Sequence, residues 1–133
     1  MIKTIYMIFF VCAFSLGLWA CAGNQKAEYK DLTSAQFEEL IKNAEVQLLD
    51  VRTVAEYQEG HIPGSLNIDV KDKEHFPTSV DKLLNREKKV AVYCRSGRRS
   101  RTAAEHLTGK GFKVYNLNKG ILHWEKKGKK IEK

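Results

Sequence analysis

Apolar positions recur along the chain in two alternating rhythms. After Thr33, residues Phe37, Leu40, Ile41 and Ala44 return at helical spacing, and Gln36 stands three places beyond Thr33. That is an amphipathic helix opened by a capping box, in which the threonine hydroxyl and the glutamine amide each satisfy an end amide of the first turn. Residues 46–51 (VQLLDV) form a short apolar run that predicts a buried strand. Thr53 and Glu56 repeat the capping spacing and open a short helix, which Gly60 ends. Pro63-Gly64 predicts a turn, and residues 66–68 a brief strand. Thr78 is expected to cap a helix carrying Val80, Leu83 and Leu84, followed by a charged loop over residues 85–89.

The second half is clearer. Val90-Ala91-Val92-Tyr93 is apolar at every position, as a central parallel strand covered on both faces would be. Gly97 and Ser100 precede a helix with Ala103, Ala104 and Leu107, stopped by Gly109 and Gly111. Residues 113–117 predict another strand and 121–126 a last helix. Strands alternating with helices imply an α/β domain with a mostly parallel sheet. No internal repeat is visible, and 133 residues suit one domain.

Residues 1–20 follow neither rhythm. Lys3 is the only charge before Lys26, the chain is nearly all apolar from Ile5 to Phe14, and Ser15, Gly17 and Ala20 are small. A short positive start, an apolar run and small residues before a boundary describe a secretory signal. The run is short for a membrane span, which needs about 20 residues. Leu18-Trp19-Ala20-Cys21 resembles a bacterial lipobox, which implies cleavage before Cys21 and lipidation of that residue, several acyl chains giving a stable anchor where one is marginal. The competing readings are an uncleaved anchor and plain secretion. All three place the soluble domain outside the cytoplasm. Ala22 at the following position favours the outer membrane of a Gram-negative cell, so the expected location is the periplasm or the outer-membrane face. Residues 21–28 then read as a lipidated tether, 29–127 as the domain, and 128–133 as a basic, solvated tail.

Composition changes this picture in one respect. The net charge is +7 and the pI about 9.3. A basic surface favours anionic partners, whether nucleic acid, anionic lipid or a small oxyanion. Three cysteines are too few for a disulfide framework.

The candidate chemistry lies in one stretch. Cys94 directly follows the buried strand, and Arg95-Ser96-Gly97-Arg98-Arg99-Ser100 leads from it into a helix, with Arg101 beyond. Ligands of open α/β sheets bind at the carboxyl ends of the strands. A loop that turns into a helix N-terminus aims amide N–H groups at one spot and attracts anions there. A thiol in that field ionises more easily than a free one, and the thiolate is the nucleophile. The competing readings are a buried inert thiol for Cys94, and a solvated face or a nucleic-acid patch for the arginines. His61, His75, His106 and His123 show no metal-ligand spacing with one another or with Cys94. There is no phosphate-binding or dinucleotide glycine motif, so neither metal nor cofactor is implied.

Several motifs occur together and in order. Leu48-Leu49-Asp50-Val51-Arg52, then Glu56-Tyr57, then Gly60-His61-Ile62-Pro63-Gly64-Ser65-Leu66-Asn67-Ile68 resemble the first half of a rhodanese-like domain. Val92 to Ser100 resembles its active-site loop, and Phe112 to Leu117 with Gly120 and Trp124 its last stretch. Lys119 departs from the family, which often has a glycine there. The resemblance implies a five-stranded, mostly parallel sheet flanked by helices, and a sulfurtransferase. Cys94 would take sulfur from thiosulfate or a related small anionic donor, releasing sulfite, and would pass it from a persulfide to an external thiol or cyanide. Backbone amides of residues 95–99 would cradle the persulfide, with Ser96 and Ser100 hydroxyls to help and Arg95, Arg98 and Arg99 to attract the donor. Asp50 and Arg52 would be structural support, Arg52 with access to substrate. His61 would serve the turn it stands in.

Loop length argues within the wider superfamily. Related phosphatases place arginine six positions after the cysteine, where Ser100 stands here; Arg99 comes one position earlier. The shorter loop suits sulfur better than a tetrahedral phosphate. With Cys12 removed and Cys21 lipidated, Cys94 would be the one free thiol, with no resolving cysteine in the chain. The alternative of another class is a non-catalytic rhodanese-like module that binds a partner or carries sulfur. Nucleic-acid binding is disfavoured by the few aromatic residues near the arginine cluster. A monomer needs nothing beyond this core.

Overall fold

A computed structural model describes residues 28–133. The signal segment 1–20, the lipidation site Cys21 and all of the tether except Glu28 lie outside the described residues. Five strands and five helices alternate: β1 (Lys30–Leu32), α1 (Ser34–Ile41), β2 (Gln47–Asp50), α2 (Val54–Glu59), β3 (Leu66–Asn67), α3 (Phe76–Leu83), β4 (Val90–Tyr93), α4 (Arg98–Gly109), β5 (Val114–Leu117) and α5 (Gly120–Lys126). The strands form one sheet in the order β1-β5-β4-β2-β3. Every pairing in it is parallel.

The sheet is covered on both faces, which explains the unbroken apolar run of β4. Side chains alternate across β2 and β4. Leu49, Val90, Val92 and Cys94 face one way, packing with Phe76 and Val80 of α3 and Ala103, Ala104 and Leu107 of α4. Leu48, Ala91 and Tyr93 face the other way, packing with Phe37 of α1 and Ile121 and Trp124 of α5. Phe37 stands edge-on to both Tyr93 and Trp124. Such aromatic contacts add about 0.5–1.5 kcal/mol each beyond the area they bury.

Both capping boxes form. Thr33 and Gln36 exchange side-chain and backbone hydrogen bonds, as do Thr53 and Glu56. Gly60 ends α2.

Three expectations need correction. Thr78 does not cap α3. That helix starts at Phe76 after His75, with Pro77 in its first turn, and the Thr78 hydroxyl donates to the His75 carbonyl. Proline at the start supplies a pre-set helical φ at a position whose amide needs no partner. Leu84 lies just beyond the helix, as its extended C-cap. Ser100 does not precede α4 but sits in its first turn, because Gly97, at φ +102°, is already the N-cap.

The basic tail is only partly solvated. His61 and Glu132 pair through two 2.8 Å backbone hydrogen bonds. The Trp124 indole donates to the Lys130 carbonyl, the Lys129 ammonium lies over the Trp124 ring, and Ile131 packs against the α1/α5 core. One strand also escapes the sequence pattern. β1 is three residues long and pairs only with β5, at the sheet edge.

Candidate active site

Cys94 leaves β4 at the carboxyl end of the sheet, between its central neighbours β2 and β5. Its thiol is nearly enclosed, with 1% of the residue exposed. The Gly97 amide donates to Sγ at 3.1 Å, so the loop closes over the sulfur within three residues. It is the free cysteine of the described residues.

The loop is held from outside by α5. The Ile121 amide donates to the Cys94 carbonyl at 2.9 Å, and the Leu122 amide to the Arg95 carbonyl at 3.2 Å. In a trans peptide the C=O and N–H point in opposite directions. Turning these two carbonyls toward α5 therefore turns the Arg95 and Ser96 amides away from it. Gly97 closes the far side with a backbone that also lies against the Asn118 carbonyl. The first turn of α4 has no side-chain cap, so its end amides are not consumed by a neighbouring oxygen.

The site residues expected from sequence fall into three groups. Arg95, Ser96 and Arg98 are exposed on the loop. Gly97 is buried and forms the loop's sharp bend. Ser100 is fully buried, and its hydroxyl donates to the Gly97 carbonyl at 3.1 Å. In this arrangement Ser100 braces the bend, and its proton is not turned to the sulfur.

Arg99 is not a free cation. Its two terminal nitrogens grip the Glu56 carboxylate at 2.7 and 2.9 Å, joining α4 to α2 across 43 residues of sequence. Glu56 is fixed from its other side by the Thr53 amide and hydroxyl. The Arg99 guanidinium holds the Glu56 carboxyl far below the usual carboxylate range, at about 2, with the Thr53 donors assisting and burial opposing. The same pair raises Arg99, to which the Cys94 thiolate and Asp69 also contribute. In the sequence Glu56 reads as half of a capping box and as part of the Glu56-Tyr57 motif, with no partner assigned. Its second role has no local signal, since the partner lies on a distant helix.

Asp50 and Arg52 form the floor beside the loop. Both are buried, with Arg52 Nη2 2.7 Å from Asp50 Oδ2 and also donating to the Gly60 carbonyl. Asn67 closes the unit by donating to the carbonyls of Asp50 and Arg52. Arg52 also reaches a cleft of about 190 Å³ that Glu56, Glu59, Arg95, Leu122 and Glu125 share.

The turn after α2 is built from polar contacts. The Tyr93 hydroxyl accepts from the Ile62 amide at 3.0 Å and meets the Ser65 hydroxyl at 2.9 Å. Burial and the nearby Asp50 charge push the Tyr93 phenol well above its ordinary range, so it stays a neutral donor and acceptor. His61 stacks on Tyr57 at 3.8 Å and bonds its carbonyl through Nδ1, in keeping with the role expected of that histidine. Lys119 takes an ordinary backbone conformation (φ −102°), so the departure from glycine there costs no strain.

Comparison with known proteins gives the family and the fold. Residues 33–127 match the family described as Rhodanese-like domain. The chain is 35% identical over 98 residues to the thiosulfate sulfurtransferase GlpE of Coxiella burnetii, covering 73% of this chain and 88% of that protein. It is 36% identical over 118 residues to the tRNA uridine(34) hydroxylase of Pelagibacter ubique, covering 88% of this chain but 38% of that one. Among solved structures, a rhodanese-related protein of Thermoplasma volcanium superposes with a TM-score of 0.66 at 32% identity, over 78% of this chain and 98% of the other.

Proposed function

Since the chain belongs to the rhodanese-like domain family, we propose that it is a sulfurtransferase that moves sulfane sulfur from thiosulfate or a related donor to an external acceptor through a Cys94 persulfide. One observation carries this reading: the buried Cys94 sulfur, at the end of the central strand, already accepts a hydrogen bond from the Gly97 N–H of the loop that closes over it. The Cys94 thiolate attacks the outer sulfur of thiosulfate. A Cys94 S–S bond forms, the donor S–S bond breaks, and sulfite leaves with the bonding pair. The terminal sulfur of the persulfide is anionic. Fixed amide donors stabilise it without reorganising. An external thiolate or cyanide then takes that sulfur and returns Cys94 to the thiolate, a two-step exchange.

In this reading Arg95 and Arg98, exposed and without an ion pair among the described residues, attract the donor. Ser96 lies within the amide cradle, and Ser100 supports it through Gly97. Asp50 and Arg52 keep the β2 end in place. No metal or cofactor enters the scheme. The test is formation of thiocyanate from thiosulfate and cyanide, which wild-type protein should catalyse and Cys94→Ser should not.

A second reading is favoured by the 1% exposure of Cys94. A module that holds sulfur without turning it over would bury its thiol in this way. It would load one sulfur from a donor and release none to cyanide.

The tether belongs to the same proposal. Leu18-Trp19-Ala20-Cys21 supports lipidation at Cys21 and a domain anchored outside the cytoplasm. The mass of full-length protein from membranes, compared with Cys21→Ser, tests it: lipidation adds acyl mass that the variant lacks.

A further inference from the structure

We propose that Glu56 tunes the donor's charge class by masking Arg99, so that the site favours doubly charged donors less strongly than its four arginines alone would. This rests on the sulfur-transfer reading of Cys94. Four arginines follow Cys94 within seven residues, and the obvious expectation is a strong trap for dianions. The structure removes one of them. Both Arg99 terminal nitrogens are committed to Glu56, with the side chains of the pair about one-fifth exposed. Arg95, Arg98 and Arg101 have no ion pair among the described residues.

Arg99 stands in the first turn of α4, five residues after Cys94, and Glu56, which grips it, also lines the cleft beside Arg95. The carboxylate therefore cancels a charge that would otherwise face the arriving donor. Removing it has two effects of opposite sign. The guanidinium gains freedom, which weakens anion binding, and it regains its full charge, which strengthens it. Glu56→Gln separates the two. Glutamine is the other residue that completes a capping box, and its amide oxygen still accepts a hydrogen bond from Arg99. The tether largely survives while the charge goes, so the charge effect wins.

Thiosulfate and methanethiosulfonate make the comparison, because they deliver the same sulfur from similar shapes with two charges and one. With the second donor, Cys94 attacks the outer sulfur and methanesulfinate leaves. The readout is the ratio of loading efficiencies of thiosulfate to methanethiosulfonate at Cys94, followed by intact mass at low salt. In Glu56→Gln the ratio should rise about fivefold, and the rise should shrink as salt screens it. In Arg99→Met, which leaves Glu56 unmasked, the ratio should fall below wild type. A folding defect would lower both efficiencies and leave their ratio alone. An unchanged or lowered ratio in Glu56→Gln, or equal ratios in Arg99→Met and wild type, would overturn the proposal. If wild type loads from neither donor, the sulfur-transfer reading fails. The ratio of iodoacetate to iodoacetamide alkylation rates at Cys94 then decides the masking, with the same signs expected.

Discussion

Gly120 lies against the main chain of Arg95, with no room between them for a Cβ. One added there would run into the Arg95 carbonyl and come within 2.6 Å of the Ser96 nitrogen. At φ +68°, the position also demands a left-handed backbone. The two constraints have one purpose. This close approach lets the next two amides of α5 reach the Cys94 and Arg95 carbonyls and set the loop's orientation.

Gly120→Ala is therefore expected to damage the loop before the core. Backbone strain alone costs about 1–3 kcal/mol, and the collision with Arg95 adds to it. Sulfur loading should fall at least tenfold in protein that is still folded at 25 °C. Urea unfolding and loading kinetics on the same sample check this. Full loading rate with an unchanged urea midpoint would mean that α5 does not hold the loop.

Tyr93→Phe tests the turn that carries His61. Removing the hydroxyl strands the Ile62 amide and the Ser65 hydroxyl in a buried site. An unsatisfied buried donor costs about 1–3 kcal/mol. The variant should lose stability by that amount in urea unfolding while Cys94 still takes up sulfur, since Tyr93 faces α1 and α5 and Cys94 faces α4.

Asp50→Asn should be more damaging. Arg52 would keep its charge in a 6% exposed site with its main partner neutralised. Breaking one side of a buried pair costs about 3–5 kcal/mol. Replacing both residues with apolar ones of similar volume should cost less than Asp50→Asn alone, a difference that equilibrium unfolding measures directly.

Acid stability should carry the signature of Glu56. Its carboxyl is depressed from 4.5 to about 2 in the folded protein. A lowered folded-state pKa contributes stability that is fully present above the unfolded value and is lost as pH falls through the folded one. The Glu56 contribution should thus disappear between about pH 4.5 and about pH 2. Glu56→Gln should be less stable than wild type at pH 7, with the gap closing over that window. A gap that stays constant down to pH 2 would mean that the carboxylate is not the source.

How much of this was legible depended on the range of each interaction. Thr33-Gln36 and Thr53-Glu56 are local, and both boxes form as their spacing predicts. Val90 to Tyr93 is apolar on both faces because helices cover both, and that too is written in four residues. The loop after Cys94 could be placed from one motif because its bend, at Gly97, is local. β1 was not legible. Residues 30–32 present two exposed positions and one half-buried position, and they are held by backbone pairing to β5, by the Asn116 amide on Asp31 and by Leu32 against the core, none of which is a local pattern. In the helix that starts at Phe76, Thr78 has the look of a cap, but Pro77 is the stronger signal. Arg99 looked free for the same reason that Glu56 looked like a cap: their contact crosses 43 residues and depends on where α2 and α4 come to rest.

The measurement closest to the central claim is the intact mass of the described domain after exposure to thiosulfate, in wild type and in Cys94→Ser. The account predicts a gain of one sulfur atom in wild type, reversed by cyanide and absent from the serine variant. A folded wild-type protein with a reactive Cys94 thiol that gains no mass would contradict it.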